Sequence, residues 1–176
     1  MAVDPATIDL LVMDVDGVLT DGRIWYDDAQ RELKGFDAKD GAGLKYWHRA
    51  QGPRKKKKTS AILTGRSSPL VERRGAELGV TVIRQGAKDK LPVLREILAE
   101  LNVSAERAAY MGDDLPDLPC MRACGLSIAV ADAVEEVRAT ADWVSPCGGG
   151  CGAVRWAIER LLRAGGLWDQ IMSQYA

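Results

Sequence analysis

Two aspartates one residue apart, Asp14 and Asp16, close the apolar run Leu10 to Met13 and are followed at once by Gly17, in LLVMDVDGVLTDG. Carboxylates at the mouth of a buried strand are costly to desolvate unless a cation or a substrate uses them. A glycine permits the tight turn that leaves both side chains at the strand's carboxyl end, where open α/β sheets bind ligands. Three more clusters repeat the pattern of apolar run, then reactive group. AILTGRSS ends in Thr64 and Gly65 ahead of a helical stretch, and a hydroxyl with N–H groups beside a helix start makes a cradle for phosphate oxygens. In RQGAKDKLPVL, Lys90 falls in the first turn of a helix, where a cation opposes the macrodipole and so implies a nearby anion. Lys88, two positions earlier, competes for that role. AAYMGDDLPDLP carries Asp113, Asp114 and Asp117 behind an apolar run and a glycine, and a divalent cation is the simplest neutraliser of carboxylates so crowded. In chain order these clusters supply a nucleophile, a proton donor, fixed donors and metal ligands, which is what phosphoryl transfer needs. Two carboxylates with divided tasks, one ionised and one able to hold a proton, fit Asp14 and Asp16 in that order.

The elements that must position these groups alternate along the chain. Short β-type runs at Leu10 to Asp14, Ser60 to Leu63, Thr81 to Arg84, Ala108 to Met111, Ser127 to Val130 and Trp143 to Val144 are separated by helical patterns. Those patterns lie at Gly41 to Arg49, Pro69 to Leu78, Lys90 to Leu101, Leu115 to Ala123, Ala133 to Ala139 and Gly152 to Ala164. Such alternation predicts an α/β fold, a doubly wound, Rossmann-like, mostly parallel sheet with helices on both faces. Residues 23–36, RIWYDDAQRELKGF, break the alternation and read as a β-hairpin inserted after strand 1, turning at Asp27, Asp28 and Ala29. The run Arg54 to Lys58 reads as an exposed, solvated loop. The 176 residues, with 24 basic against 25 acidic groups, fit one compact domain over 1–176 and argue against a nucleic-acid binder, which needs a net basic face. No apolar run approaches the roughly 20 residues of a membrane span, and the acidic start does not look like a signal peptide, so a cytoplasmic location is expected. Cys120 with Cys124 and Cys147 with Cys151 match neither a secreted disulfide framework nor common zinc spacing, and read as reduced thiols, though the glycines between Cys147 and Cys151 would let that pair meet. His48 reads as a structural residue, Trp143, Trp156 and Trp168 as core or interface, and the tail GLWDQIMSQYA as a short docking segment.

The motifs DVDGVLTDG, LTGR, DK and GDDLPD resemble the four motifs of the haloacid dehalogenase superfamily of aspartate-nucleophile phosphatases. LKGFDAKDGAGL, QGAKDKL, GLSIAVADA and GGGCGAVR are similar to the branch of 3-deoxy-D-manno-octulosonate 8-phosphate phosphatases. The resemblance implies that Asp14 attacks phosphorus and forms an aspartyl phosphate, while Asp16 protonates the leaving oxygen and later activates water. Thr64 would bind the phosphoryl group and Lys90 would hold nucleophile and phosphoryl oxygen together. Mg²⁺ would be held by Asp14, the backbone carbonyl of Asp16 and Asp113, with Asp114 and Asp117 supporting. The short stretches between the motifs leave no room for a cap domain, so the resemblance implies a homotetramer in which the 23–36 hairpins assemble and neighbouring subunits cover each site. Exposed Ile24, Trp25 and Tyr26 would suit such an interface.

The substrate expected on this basis is a small sugar-acid phosphate, bound through Asp16, Lys39, Thr64, Gly65 and Arg66, where Lys39 and Arg66 could meet a carboxylate or the phosphate. The chain departs from that family's pattern at Lys39 and Cys151, where an arginine and a basic residue are usual, which leaves another eight- or nine-carbon sugar acid as an alternative substrate. A catalytically idle homologue is a further alternative. A phosphoacceptor receiver module fits less well, since receivers place their acidic pair first and carry no acidic group near the end of the sheet.

Overall fold

A computed structural model describes residues 4–51 and 57–175. Strand β1 (Leu10–Met13) is followed by the hairpin β2 (Trp25–Tyr26) and β3 (Glu32–Leu33), then by α1 (Ala38–Arg49), β4 (Thr59–Leu63), α2 (Pro69–Leu78), β5 (Val82–Arg84) and α3 (Lys90–Glu100). The second half runs β6 (Ala108–Gly112), α4 (Leu118–Ala123), β7 (Leu126–Ala129), α5 (Glu135–Thr140), β8 (Trp143–Val144), α6 (Ala153–Ala164) and α7 (Trp168–Met172).

Six strands form one parallel sheet in the order β5-β4-β1-β6-β7-β8. All four residues of β1 and all five of β6 are buried, as expected of parallel strands covered on both faces. The helices form two packed groups, α1 with α2 and α6, and α3 with α4, which also contacts α5. After β5 the chain crosses back through α3 to β6, on the other side of β1. The order therefore reverses at β1, and ligands of open α/β sheets bind at such a switch point. Met13 is in register with Ile62 and with Met111, so the residues that leave β1, β4 and β6 emerge side by side.

Local signals set the helix starts. Asp89 caps α3 by accepting a hydrogen bond from Leu91 N, and Ser68 caps α2 through Leu70 N. α6 buries Val154, Ala157, Ile158, Leu161 and Leu162 along one stripe.

The expected boundaries shift by more than one residue in three places. α1 begins at Ala38 rather than Gly41, because the Asp37 side chain caps it through Lys39 N. The segment 115–123 divides into a 3₁₀ turn over Leu115–Asp117 and the helix α4, with Asp114 and Asp117 forming a capping box. The helix expected from Ala133 begins at Glu135. The basic run is also corrected in part. Lys57 is exposed, but Lys58 is buried, its ammonium donating to Ile8 O, paired with Asp9 at 3.3 Å and set over the Trp47 ring. Lys58 takes Asp9 Oδ1 while Arg107 takes Oδ2, so the buried Asp9 carboxylate has a cation on each oxygen. Arg54 to Lys56 lie outside the described residues.

All four cysteines are free thiols. His48 is half-buried with Nε2 2.8 Å from Ser60 Oγ. Trp143 and Trp156 meet edge to face at 6.3 Å. The tail docks on its own subunit, with Trp168 and Ile171 buried and the Trp168 and Tyr175 rings against Tyr46 of α1.

Candidate active site

Asp14 is the first residue past β1 and is 7% exposed. Its Oδ1 accepts from Val15 N at 2.7 Å, and its Oδ2 lies 2.8 Å from Lys90 Nζ. Lys90 reaches it from the first turn of α3 and is paired on its other side with Asp117 Oδ1 at 2.7 Å. The anion implied by a lysine at a helix start is therefore a pair of carboxylates, and Lys90 rather than Lys88 is the lysine bound to Asp14. Burial would lower the Lys90 ammonium, but Asp14 and Asp117 outweigh it and hold Lys90 above the usual lysine value. Burial likewise pushes the Asp14 carboxyl up, Lys90 pulls it down, and Asp117 pushes it up again.

Asp117 is fully buried. Oδ1 also accepts from Tyr110 OH at 2.7 Å, and Oδ2 accepts from Asp113 N at 3.1 Å and Asp114 N at 3.3 Å. Its lone pairs are thus committed to holding Lys90 and the loop after β6. Asp114 caps the following turn through Leu115 N at 2.7 Å. Asp113 differs: its Oδ1 is buried with no hydrogen-bond partner among the described residues. Burial, with Asp14 and Asp117 adding repulsion, pushes its carboxyl up to about 8.

Carboxylate oxygens of Asp14, Asp113 and Asp117 lie within 4.8 Å of one another. Because Asp117 is already saturated, Asp14 and Asp113 are the two with oxygen to give. A buried, partnerless carboxylate oxygen beside a second carboxylate is a hard-oxygen donor set suited to a divalent cation, and the residues present fit Mg²⁺. Gly17, at φ +91°, belongs to the same construction, since a Cβ there would fall 2.0 Å from Asp113 Oδ2.

Asp14, Asp16, Thr64, Gly65, Arg66, Lys90, Asp113, Asp114 and Asp117 line one cleft of about 250 Å³. Thr64 stands just past β4, buried to 2%, and Arg66 Nε is 3.6 Å from Asp16 Oδ2. The fold does not bring Lys39 to this cleft. It is exposed on the first turn of α1.

Two residues went unrecognised in the sequence. Lys34, just past β3, has its side chain 2% exposed and its ammonium paired with Asp16 Oδ1 and, at 3.5 Å, with Glu32 Oε1. Glu32 also accepts from Arg66 Nη2 at 2.9 Å. The signal available was the alternation in RELK, which sets Glu32 and Lys34 on one face of a strand and Leu33 on the other.

The comparisons with known proteins bear on this arrangement as a whole. The family pattern of haloacid dehalogenase-like hydrolases matches residues 54–155. The chain is 42% identical to 3-deoxy-D-manno-octulosonate 8-phosphate phosphatase KdsC of Escherichia coli K12 over 167 residues, covering 95% of this chain and 86% of that protein. The chain belongs to the haloacid dehalogenase-like hydrolases. Within these hydrolases its similarity extends to solved structures of the same phosphatase branch. A 3-deoxy-D-manno-octulosonate 8-phosphate phosphatase of Moraxella catarrhalis, in complex with magnesium, phosphate and KDO, superposes with a TM-score of 0.91 at 39% identity, covering 98% of this chain and 96% of that one. The cobalt-bound phosphatase of Haemophilus influenzae gives 0.85 at 38% identity, covering 93% and 92%.

Proposed function

We propose that this hydrolase is a Mg²⁺-dependent phosphatase that converts 3-deoxy-D-manno-octulosonate 8-phosphate to 3-deoxy-D-manno-octulosonate and phosphate. The observation that carries the reading is the convergence of Asp14, Asp16, Thr64, Lys90 and Asp113 on one cleft, in a chain that matches phosphatases of this substrate along nearly its whole length.

A carboxylate oxygen of Asp14 attacks phosphorus and forms an aspartyl phosphate as the bond to the sugar's C8 oxygen breaks. Asp16, two residues on along the same loop, gives its proton to that oxygen, so the sugar leaves as a neutral alcohol. A water then attacks the phosphorus of the aspartyl phosphate, Asp16 takes up a proton from it, and Asp14 is regenerated as phosphate departs. Thr64, through its hydroxyl, and Gly65, through its N–H, bind phosphoryl oxygens at the end of β4. Lys90 keeps Asp14 oriented and faces the charge gathering on the phosphoryl group. Asp14, Asp113 and the backbone carbonyl of Asp16 would hold Mg²⁺, with Asp114 and Asp117 fixing the loop behind it; the ion supplies charge neutralisation for the phosphoryl oxygens. Arg66 and Lys88, which both line the cleft, are the cations placed to meet the substrate from the same subunit.

The cleft is open to solvent, and Ile24, Trp25, Tyr26 and Leu33 on the hairpin are 46%, 54%, 62% and 52% exposed. Pairing these faces in a homotetramer would bury them and bring neighbouring subunits over each cleft. No helix among the described residues is long and apolar enough to cross a membrane, and the compartment proposed is the cytoplasm.

The test is a comparison of kcat/KM, with Mg²⁺, for 3-deoxy-D-manno-octulosonate 8-phosphate, a nine-carbon sugar-acid 9-phosphate and glucose 6-phosphate. The eight-carbon acid is expected to be preferred over both. Preference for the nine-carbon acid would reassign the substrate, and preference for the neutral sugar, or no turnover of any, would overturn the proposal.

A further inference from the structure

Lys34 lies outside the four motifs, yet its side chain is only 2% exposed, against 5% for Lys90. Lys34 is not among the residues lining the cleft. It lines instead a separate cavity of about 380 Å³, together with Phe36, Arg73, Arg74 and Glu77. From that side it reaches Asp16 Oδ1, while Arg66 stands 3.6 Å from Asp16 Oδ2. Each carboxylate oxygen of Asp16 therefore faces its own cation. Glu32 joins those cations, accepting from Arg66 at 2.9 Å and lying 3.5 Å from Lys34. A buried ammonium is costly unless its geometry with carboxylates is good, and a flexible lysine stem is held in one place only where its surroundings fix it.

We infer that Lys34, just past β3 of the hairpin, is a positioning residue that fixes the Asp16 carboxylate at the angle from which it serves the leaving oxygen. The inference rests on the proposed role of Asp16 and deepens it. Asp16 follows the nucleophile on a glycine-containing loop and its side chain has no backbone N–H partner among the described residues, so Lys34 supplies the restraint that Lys90 gives Asp14. Lys34 makes this contact without itself lining the cleft, so its effect on the reaction passes through Asp16. The hairpin is then part of the catalytic apparatus as well as a surface: Glu32 and Lys34 face the site, and Trp25 and Leu33, cross-strand partners, face outward.

The test compares Lys34→Met, Asp16→Asn and the double variant on two substrates. One is the sugar-acid phosphate, whose alkoxide must be protonated as it leaves; the other is 4-nitrophenyl phosphate, whose aryloxide leaves without a proton. Lys34→Met is expected to lower kcat/KM on the sugar phosphate by about 10²-fold, as misplacement of a reacting group by about an ångström does, and to lower it much less on the aryl phosphate. Little further loss is expected when Lys34→Met is added to Asp16→Asn, because both changes remove one action. Equal losses on both substrates, or full additivity, would show that Lys34 serves only the fold and would overturn the inference, as would wild-type rates. If Asp16→Asn alone keeps the wild-type rate on the sugar phosphate, the reading of Asp16 fails first, and the two failures are told apart. Where Lys34→Met does not fold by circular dichroism, Lys34→Gln keeps a donor toward Asp16 and Glu32, and the ratio between the two substrates is the same readout.

Discussion

Asp117, last in its motif, has every oxygen engaged, by Lys90, Tyr110 and the N–H groups of Asp113 and Asp114. It binds the helix that carries the lysine to the loop that carries Asp113. Asp117→Asn removes a charge from a buried ion pair, which costs about 3 to 5 kcal/mol, and a fall of that size is expected in the unfolding free energy from urea titration. An unchanged urea midpoint would mean that Asp117 is not the frame. For Asp16→Asn the expected change is in rate, a loss on the order of 10² to 10⁴ if Asp16 is the general acid and base. Steady-state phosphate release on the sugar phosphate checks it, and a near-wild-type rate would remove Asp16 from that role. Asp14, Thr64, Lys90 and Asp113 were legible from the sequence because each follows an apolar run or opens a helix. Lys34 was not, because a two-residue strand carries too little pattern to say which face of a hairpin turns inward.

At the scale of elements, the loop over Cys147 to Cys151 connects β8 and α6 to the nucleophile's turn. A Cβ on Gly149 would fall 1.9 Å from Gly17 O, so the loop lies directly against the turn that follows Asp16. α6 is in turn held by Asp40 of α1, whose Oδ1 accepts from Arg155 N at 2.7 Å. Glycines in α1 permit this closeness, since a Cβ on Gly43 would come within 3.2 Å of the Arg155 Cα. The helical pattern of α1 was legible but its start was not, because GAG weakens helix propensity and the Asp37 cap lay upstream. Burial pushes the Asp40 carboxyl up to about 6 from 3.8, against the pull of the α6 N–H groups. The native state therefore holds a proton on Asp40 in a range where the unfolded chain has already lost it. Stability contributed by this group is full below about pH 3.8, falls as pH rises toward 6, and is level above. Asp40→Asn is expected to remove that fall, worth on the order of 3 kcal/mol across the window. Unfolding free energies of the variant and the wild type, measured side by side from pH 4 upward, check it, and parallel pH profiles would contradict it.

At the scale of the whole molecule, the sheet order places the ends of β1, β4 and β6 at one switch point, and the hairpin inserted after β1 turns an apolar face outward from beside that point. The alternation of strands and helices made this architecture legible, whereas the inward packing of Lys58 was hidden, since its partner Asp9 is far away in sequence. Assembly through the hairpin has a direct check. Trp25→Glu with Leu33→Glu places charges on both members of an exposed cross-strand pair; in sedimentation velocity the wild type is expected to run as the proposed homotetramer and the variant as a smaller species. A tetramer that survives both substitutions would place the interface elsewhere.

The central claim is that Asp14, with a divalent cation at its side, is the group that attacks the phosphoryl centre. The most direct measurement is steady-state phosphate release from 3-deoxy-D-manno-octulosonate 8-phosphate by the wild type with Mg²⁺, after chelation by EDTA and after Mg²⁺ is restored, beside Asp14→Asn under the first condition. The expected result is turnover that disappears on chelation, returns with the metal and is absent from a folded Asp14→Asn variant. Turnover that persists under EDTA, or that Asp14→Asn retains, would contradict the account.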